Sequence, residues 1–311
     1  MIIPDSKSYF ELSNAIDKAI YVSFNDFSKS EPQLIANLVW NLPKKVNETE
    51  LSSHFSVKCG GVFVHGQPLV ECPDFPDPTP KSVEIGDLLL IRTEIKRGIL
   101  EDRRAMILQA KKIDSFPSNP DNANQHHLYA HWPRFKYVRS GKLTGKFRSV
   151  TGIDLYNGAK YLMLTECSVC FPCACDFNFC SITSHPTIPQ LSHHQSFKKE
   201  LISFILGDTG KNFKSPSPKS NGWDRVIKDL LDETSRRYSV FMKRASKKSH
   251  KVQRGIQLMF FSGEPAQGGG LHNFILETED QEPPTNIGEN WIEGNDEFSG
   301  ISTIEFVINT E

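Results

Sequence analysis

The sequence predicts an α/β protein with an α+β extension at the C-terminal side. Three observations lead there. Short apolar runs of strand length, at 83–95 and 103–113, are joined by the turn Lys96-Arg97-Gly98, which makes them a hairpin. Stretches of helical period stand on both sides of that hairpin, at 31–42 and 122–132. The character of the chain then changes after residue 166, where a cysteine-rich segment, a Gly/Ser/Lys/Pro linker and a second set of helix and strand signals follow. The expected division is a core at 1–166 and an extension at 167–311.

The elements are justified in order. Residues 1–29 mix helix and strand signals and place no element. Ser30-Glu31-Pro32 reads as a helix start, with a capping hydroxyl and a proline in the first turn. Leu34, Ile35, Leu38, Val39 and Leu42 continue one stripe, which Pro43 is expected to end. A strand entered through Gly60 and Gly61 follows, and the Pro/Asp-rich segment 72–80 is a loop. Asn122 or Asn124 caps a helix that Pro133 limits. The segment 134–148 reads as an exposed loop or hairpin, 160–165 as a strand, 196–206 as a helix and 207–222 as a mobile linker. An amphipathic helix is expected at 224–242, with strands at 257–261, 272–276 and 301–308.

Composition narrows the class. In 311 residues, 38% hydrophobic and 23% charged describe a soluble globular chain, and the formal net charge of -1 selects no partner by itself. Charge is nevertheless uneven. The segment 134–148 holds six basic residues and no acid; 236–254 holds eight and no acid; after Arg254 come eleven acids and no Lys or Arg. The basic blocks suit a polyanion and the tail repels one. No run reaches the roughly 18 apolar residues of a membrane span, and the N-terminus has no basic region leading into an apolar core. The seven cysteines are therefore expected to be reduced thiols in a cytoplasmic setting.

Chemistry concentrates at the hairpin. Period-two alternation puts Gln109 and Lys111 on one face of a strand, and Asp87 lies in the strand beside it. An acid, an amide and an amine at one sheet edge are costly to bury by accident. The pattern resembles the PD-(D/E)XK, or restriction-endonuclease-like, nuclease superfamily, in its Mrr-like Gln-x-Lys variant. The downstream Gln125-x-x-x-Tyr129 resembles the helix motif of the RecB and lambda-exonuclease branches. The resemblance covers about residues 31–135.

It implies a restriction-endonuclease-like core, a mixed central sheet flanked by helices, and hydrolysis of phosphodiester bonds in DNA, or less readily RNA, by an endo- or exodeoxyribonuclease of defence or mobile-element biology. It implies Mg2+ or Mn2+ held by Asp87, Gln109 and the carbonyl of Ala110, with Glu31 as a further ligand. Lys111 would assist the attacking water or the transition state, while Gln125 and Tyr129 would orient groups near the phosphate. Two departures stand out: Gly86 precedes Asp87 where the family has proline, and Gln109 replaces an acid. A carboxamide is a neutral, weaker ligand for a hard cation, and Glu31, Glu71 or Glu84 would have to restore the charge.

Arg134, Lys136, Arg139, Lys142, Lys146 and Arg148, interleaved with Phe135, Tyr137 and Phe147, are candidate nucleic-acid contacts. His126, His127 and His131 lie on or near the Gln125 helix. Cys167, Cys170, Cys173, Cys175 and Cys180 are spaced for zinc as well as for small buried hydrophobes. Three readings stay open: a nuclease, an inactive nuclease fold that binds nucleic acid or a protein, and a zinc-stabilised interaction protein.

Overall fold

The structure is a computed structural model. It describes residues 4–64, 68–114, 117–151, 155–166, 179–186, 190–191, 194–215, 221–245, 259–260 and 300–311.

The unplaced N-terminus is a helix, α1 (Ser6–Phe24). Asp5 caps it, accepting from the Ser8 amide at 2.9 Å and the Ser8 hydroxyl at 2.7 Å. Helix α2 (Glu31–Asn47) starts where Pro32 predicts, but it runs past Pro43. A proline inside a helix forfeits one backbone hydrogen bond, at about 3 kcal/mol. Burial of Leu42, Pro43 and Val46 opposes that loss.

The chain continues through β1 (Phe55–Phe63), β2 (Leu69–Glu71), β3 (Ser82–Glu84), β4 (Leu88–Lys96) and β5 (Ile99–Lys112). Next come α3 (Ala123–His131), β6 (Phe135–Val138), β7 (Phe147–Arg148), α4 (Leu155–Gly158), β8 (Ala159–Glu166), β9 (Phe179–Ser184) and β10 (Gln195–Ser196). Then follow α5 (Phe197–Leu206), β11 (Lys211–Asn212), α6 (Trp223–Ala245), β12 (Met259–Phe260) and β13 (Ser302–Thr310). The expected helices and strands thus recur with shifted ends. The segment 207–222 is more than a linker, because β11 pairs with β5. The strand expected at 272–276 lies outside the described residues.

The central sheet has the order β10-β9-β8-β5-β4-β13-β1-β12. It is mixed: β4 and β5 pair antiparallel, β8 runs parallel to β5, and β13 runs parallel to β4 but antiparallel to β1. Helices cover both faces. Leu88, Leu90, Leu108 and Ala110 face a core closed by α1, α2 and α5. Leu89, Ile91, Ile107 and Tyr161 face a second core closed by α3, α6 and a small sheet, β3-β2-β6-β7. This alternation follows from the two-residue period of a strand buried on both sides.

Two expectations need correction. The strand expected at 83–95 breaks at Gly86 and Asp87, so β3 belongs to the small sheet and β4 to the central one. Gly86 permits the break. A Cβ there would lie 2.3 Å from Ile107 Cγ2 and 2.8 Å from the Tyr129 hydroxyl. Residues after 166 also do not form a separate extension, because β13 completes the middle of the sheet that β1, β4 and β5 begin.

Candidate active site

Asp87 occupies the joint between the two sheets. Its amide donates to the Leu108 carbonyl at 2.9 Å, which pins it against the end of β5. The Ala110 amide donates to Asp87 Oδ2 at 2.7 Å, and Gln109 Nε2 donates to the same oxygen. The acid and the Gln-x-Lys strand therefore meet. Gln109 is 5% exposed, yet its Oε1 has no hydrogen-bond partner. The amide thus turns its donor to the acid and leaves its acceptor unused.

Lys111 lies on the same strand face as Gln109, two residues on, but its Nζ donates to Asp121 Oδ2 at 3.1 Å. Asp121 stands in the loop before α3, and 67% of its side chain is exposed. Burial works against the charge on Lys111; Glu31, Asp121 and Asp87 outweigh it and hold the lysine above its ordinary pKa. Glu31, at the first position of α2, accepts the Lys112 amide at 2.7 Å. Burial, followed by the Glu84 carboxylate, pushes Asp87 well above the usual carboxylate range. The Ala110 amide acts the other way, Glu31 adds to the rise and Lys111 offsets it. In an unbroken strand Glu84 would point to the opposite face from Asp87. The turn at Gly86 lets it act on the same carboxyl.

Helix α3 lies over this face. Tyr129 is fully buried and donates its hydroxyl to the Ile85 carbonyl at 2.9 Å. It fixes the bend that presents Asp87, rather than a phosphate. Gln125, one turn earlier, is 4% exposed and its Nε2 has no partner. Tyr161, which the sequence reading missed, is the β8 partner of Gln109 in register. Its ring lies 5.4 Å from that of Tyr129 and stacks on His126 at 6.5 Å, and its hydroxyl is also unpartnered. Burial, then Asp121, raise the Tyr161 pKa, so the phenol stays neutral. Its signal was its place on an apolar strand parallel to β5, and sequence spacing does not reveal that pairing. His127 and His131 pack on each other at 4.7 Å.

The basic candidates divide. Arg148 is buried and pairs with Asp229 at 2.5 Å, so it is not a nucleic-acid contact. The expectation failed because its partner lies in α6, far along the chain. Lys136 meets Glu71 at 3.4 Å. Arg134, Arg139, Lys142 and Lys146 are exposed. Of the cysteine cluster, Cys167, Cys170, Cys173 and Cys175 lie outside the described residues, and only the backbone of Cys180 is placed, in β9.

Among the described residues, no group of three or more His, Cys, Asp or Glu is arranged to hold a metal. The Asp87 surroundings fit a different mode. Mg2+ is commonly bound through one or two carboxylates together with waters and substrate phosphates. Asp87, crowded by Glu84 and Glu31 and beside the unused Gln109 oxygen, supplies that kind of donor set. No described helix is long and apolar enough to cross a membrane. Comparison with protein-family models, curated proteins and solved structures found no match to the chain.

Proposed function

We propose that the chain is a metal-dependent nuclease with a restriction-endonuclease-like core, cleaving phosphodiester bonds in DNA or, as the lesser alternative, RNA. One observation carries the reading: Asp87 meets Gln109 and Ala110 at the end of a hairpin, Lys111 lies on the same face, and burial together with the Glu84 carboxylate disfavours the Asp87 charge. The order of α2, β1, β4, β5 and α3 along the chain supports it, since the resemblance implies a helix, a strand, the Asp-bearing and Gln-x-Lys strands and a following helix.

Asp87 and Gln109 Oε1 would hold Mg2+ or Mn2+, with the Ala110 carbonyl and Glu31 as further oxygens. The bound ion would supply an acidified water and neutralise phosphate charge. Gln109 can serve once its carboxamide turns over and offers oxygen in place of nitrogen. Lys111, released from exposed Asp121, would face negative charge building on the phosphoryl group. Gln125 Nε2 and the neutral Tyr161 hydroxyl are donors without a present acceptor, suited to an anionic substrate. Tyr129 positions Asp87 by holding Ile85.

One observation favours a second reading. The Gln109 amide donating to Asp87 is a self-satisfied arrangement, as a retired site would show in a fold that only binds nucleic acid. A cleavage assay separates the two. Wild type with Mg2+ or Mn2+ should cut labelled DNA, and Asp87→Ala and Lys111→Ala should each slow it by about a hundred-fold or more. If both variants cut as fast as wild type, the site is misassigned. If wild type cuts no substrate while still binding it, the retired fold is the better account.

A further inference from the structure

We propose that the outer face of the β6–β7 hairpin is a docking surface for single-stranded nucleic acid, with Phe147 as a base-stacking platform. The inference rests on the nucleic-acid reading above and names its substrate class. Of the three aromatics in this segment, Phe135 and Tyr137 are buried and Phe147 is 45% exposed. The Arg134 guanidinium lies 4.7 Å from the centre of the Phe147 ring. Lys136 is its cross-strand partner in register. A large exposed aromatic with Arg134 over its ring, beside a Lys136 that pairs with Glu71, is well suited to an unpaired base, whose flat face is free to stack. In a duplex those faces are covered by neighbouring bases.

The phosphate contacts are presented on an anchored loop. Ser140 is buried and donates to the Leu69 and Val138 carbonyls, at 3.0 Å and 2.8 Å. Leu143 is buried in the core beneath α6. Between these anchors Arg139, Lys142 and Lys146 point to solvent, with no acid in the segment to neutralise them. The loop leaves β6 beside Leu69, and Leu69 pairs with Glu84, so it projects from the end of the small sheet that leads into Asp87. A strand lying on Phe147 and these cations would therefore be directed toward the candidate site.

The test is fluorescence anisotropy of the full chain with labelled oligo(dT) and with a duplex of equal length, in chelator. The expected result is a preference for the single strand. Phe147→Ala should weaken it about five-fold or more and leave duplex binding unchanged. The double change Lys142→Ala with Lys146→Ala should weaken both and flatten the salt dependence. Equal affinity for duplex, or a Phe147→Ala variant that binds oligo(dT) like wild type, overturns the proposal. Far-UV circular dichroism checks that the variants fold. No divalent ion or cleavage enters this assay, so a lost nuclease activity with binding intact counts only against the catalytic reading. Lost single-strand preference beside intact cleavage counts only against this one.

Discussion

Asp87 shows how a single residue links chemistry to stability. In the unfolded chain its carboxyl has an ordinary pKa; in the fold, burial and the Glu84 carboxylate push that pKa well up. A raised folded value means that the native state holds the proton more tightly. The stability this contributes is fully present below the ordinary carboxylate range and is lost as pH rises through the raised value. Ion-free wild type should therefore lose thermal stability over that window relative to Asp87→Asn, and the variant should melt higher at neutral pH. Mg2+ should raise the melting temperature of wild type alone. A variant that melts lower than wild type at neutral pH, with the same pH slope, would remove the basis for charge strain at this site. Part of this residue-level picture is legible in the sequence. Alternation places Gln109 and Lys111 on one face, and the hairpin puts Asp87 in the neighbouring segment. Glu84 is legible only as a candidate, because its influence depends on a bend at Gly86, against which Ile107 and Tyr129 pack closely. Tyr161 is hidden for a similar reason: it meets Gln109 only through parallel pairing of β5 with β8.

At the scale of elements, the docking of α5 on β8 rests on an ion pair inside the apolar core. Lys160 Nζ lies 2.7 Å from Glu200 Oε2, with side chains 2% and 0% exposed. Thr183 and Gln195 donate to the same oxygen, at 3.1 Å and 2.6 Å. Burial raises the Glu200 pKa, but the charge and hydrogen bond of Lys160, with the Gln195 hydrogen bond, outweigh it and hold it below the usual range. The sign is opposite to that of Asp87: the contribution is present above the ordinary carboxylate pKa and is lost as pH falls through the depressed value. Glu200→Gln leaves Lys160 buried without a counter-charge and should cost about 3–5 kcal/mol in urea denaturation. Joining it to Lys160→Met should recover most of that loss. A cost below about 1 kcal/mol for the single change would mean that water reaches the lysine and the pair is not truly buried. Helical period alone locates α5 but gives no reason for a glutamate on its inner face; the reason sits on another element. Helix α2 gives the converse case. Pro43 is a sound local stop signal, and the buried packing of Val46 overrides it.

At the scale of the whole molecule, the informative feature is the last strand. Ile301 to Ile308 reads correctly as a strand from composition, yet nothing local shows that it inserts between β1 and β4. Its pairing is parallel to β4 along its full length and antiparallel to β1, and Ile304, Phe306 and Ile308 are fully buried. Without it, β1 and β4 would each present an open edge, and the apolar layer between α2 and the sheet would lose its centre. Every contact of this kind joins residues more than two hundred positions apart, so the sheet cannot close until β13 is in place. A chain ending at Gly300 should therefore lack a cooperative thermal transition by circular dichroism and should aggregate, since unpaired edges recruit other chains. A synthetic peptide of residues 301–311 added during refolding should restore the transition, because the missing strand needs no covalent link to fill its slot. If the shortened chain melts cooperatively at the wild-type temperature, β13 contributes nothing to the core, and the division after residue 166 that the sequence suggests would be the physical one.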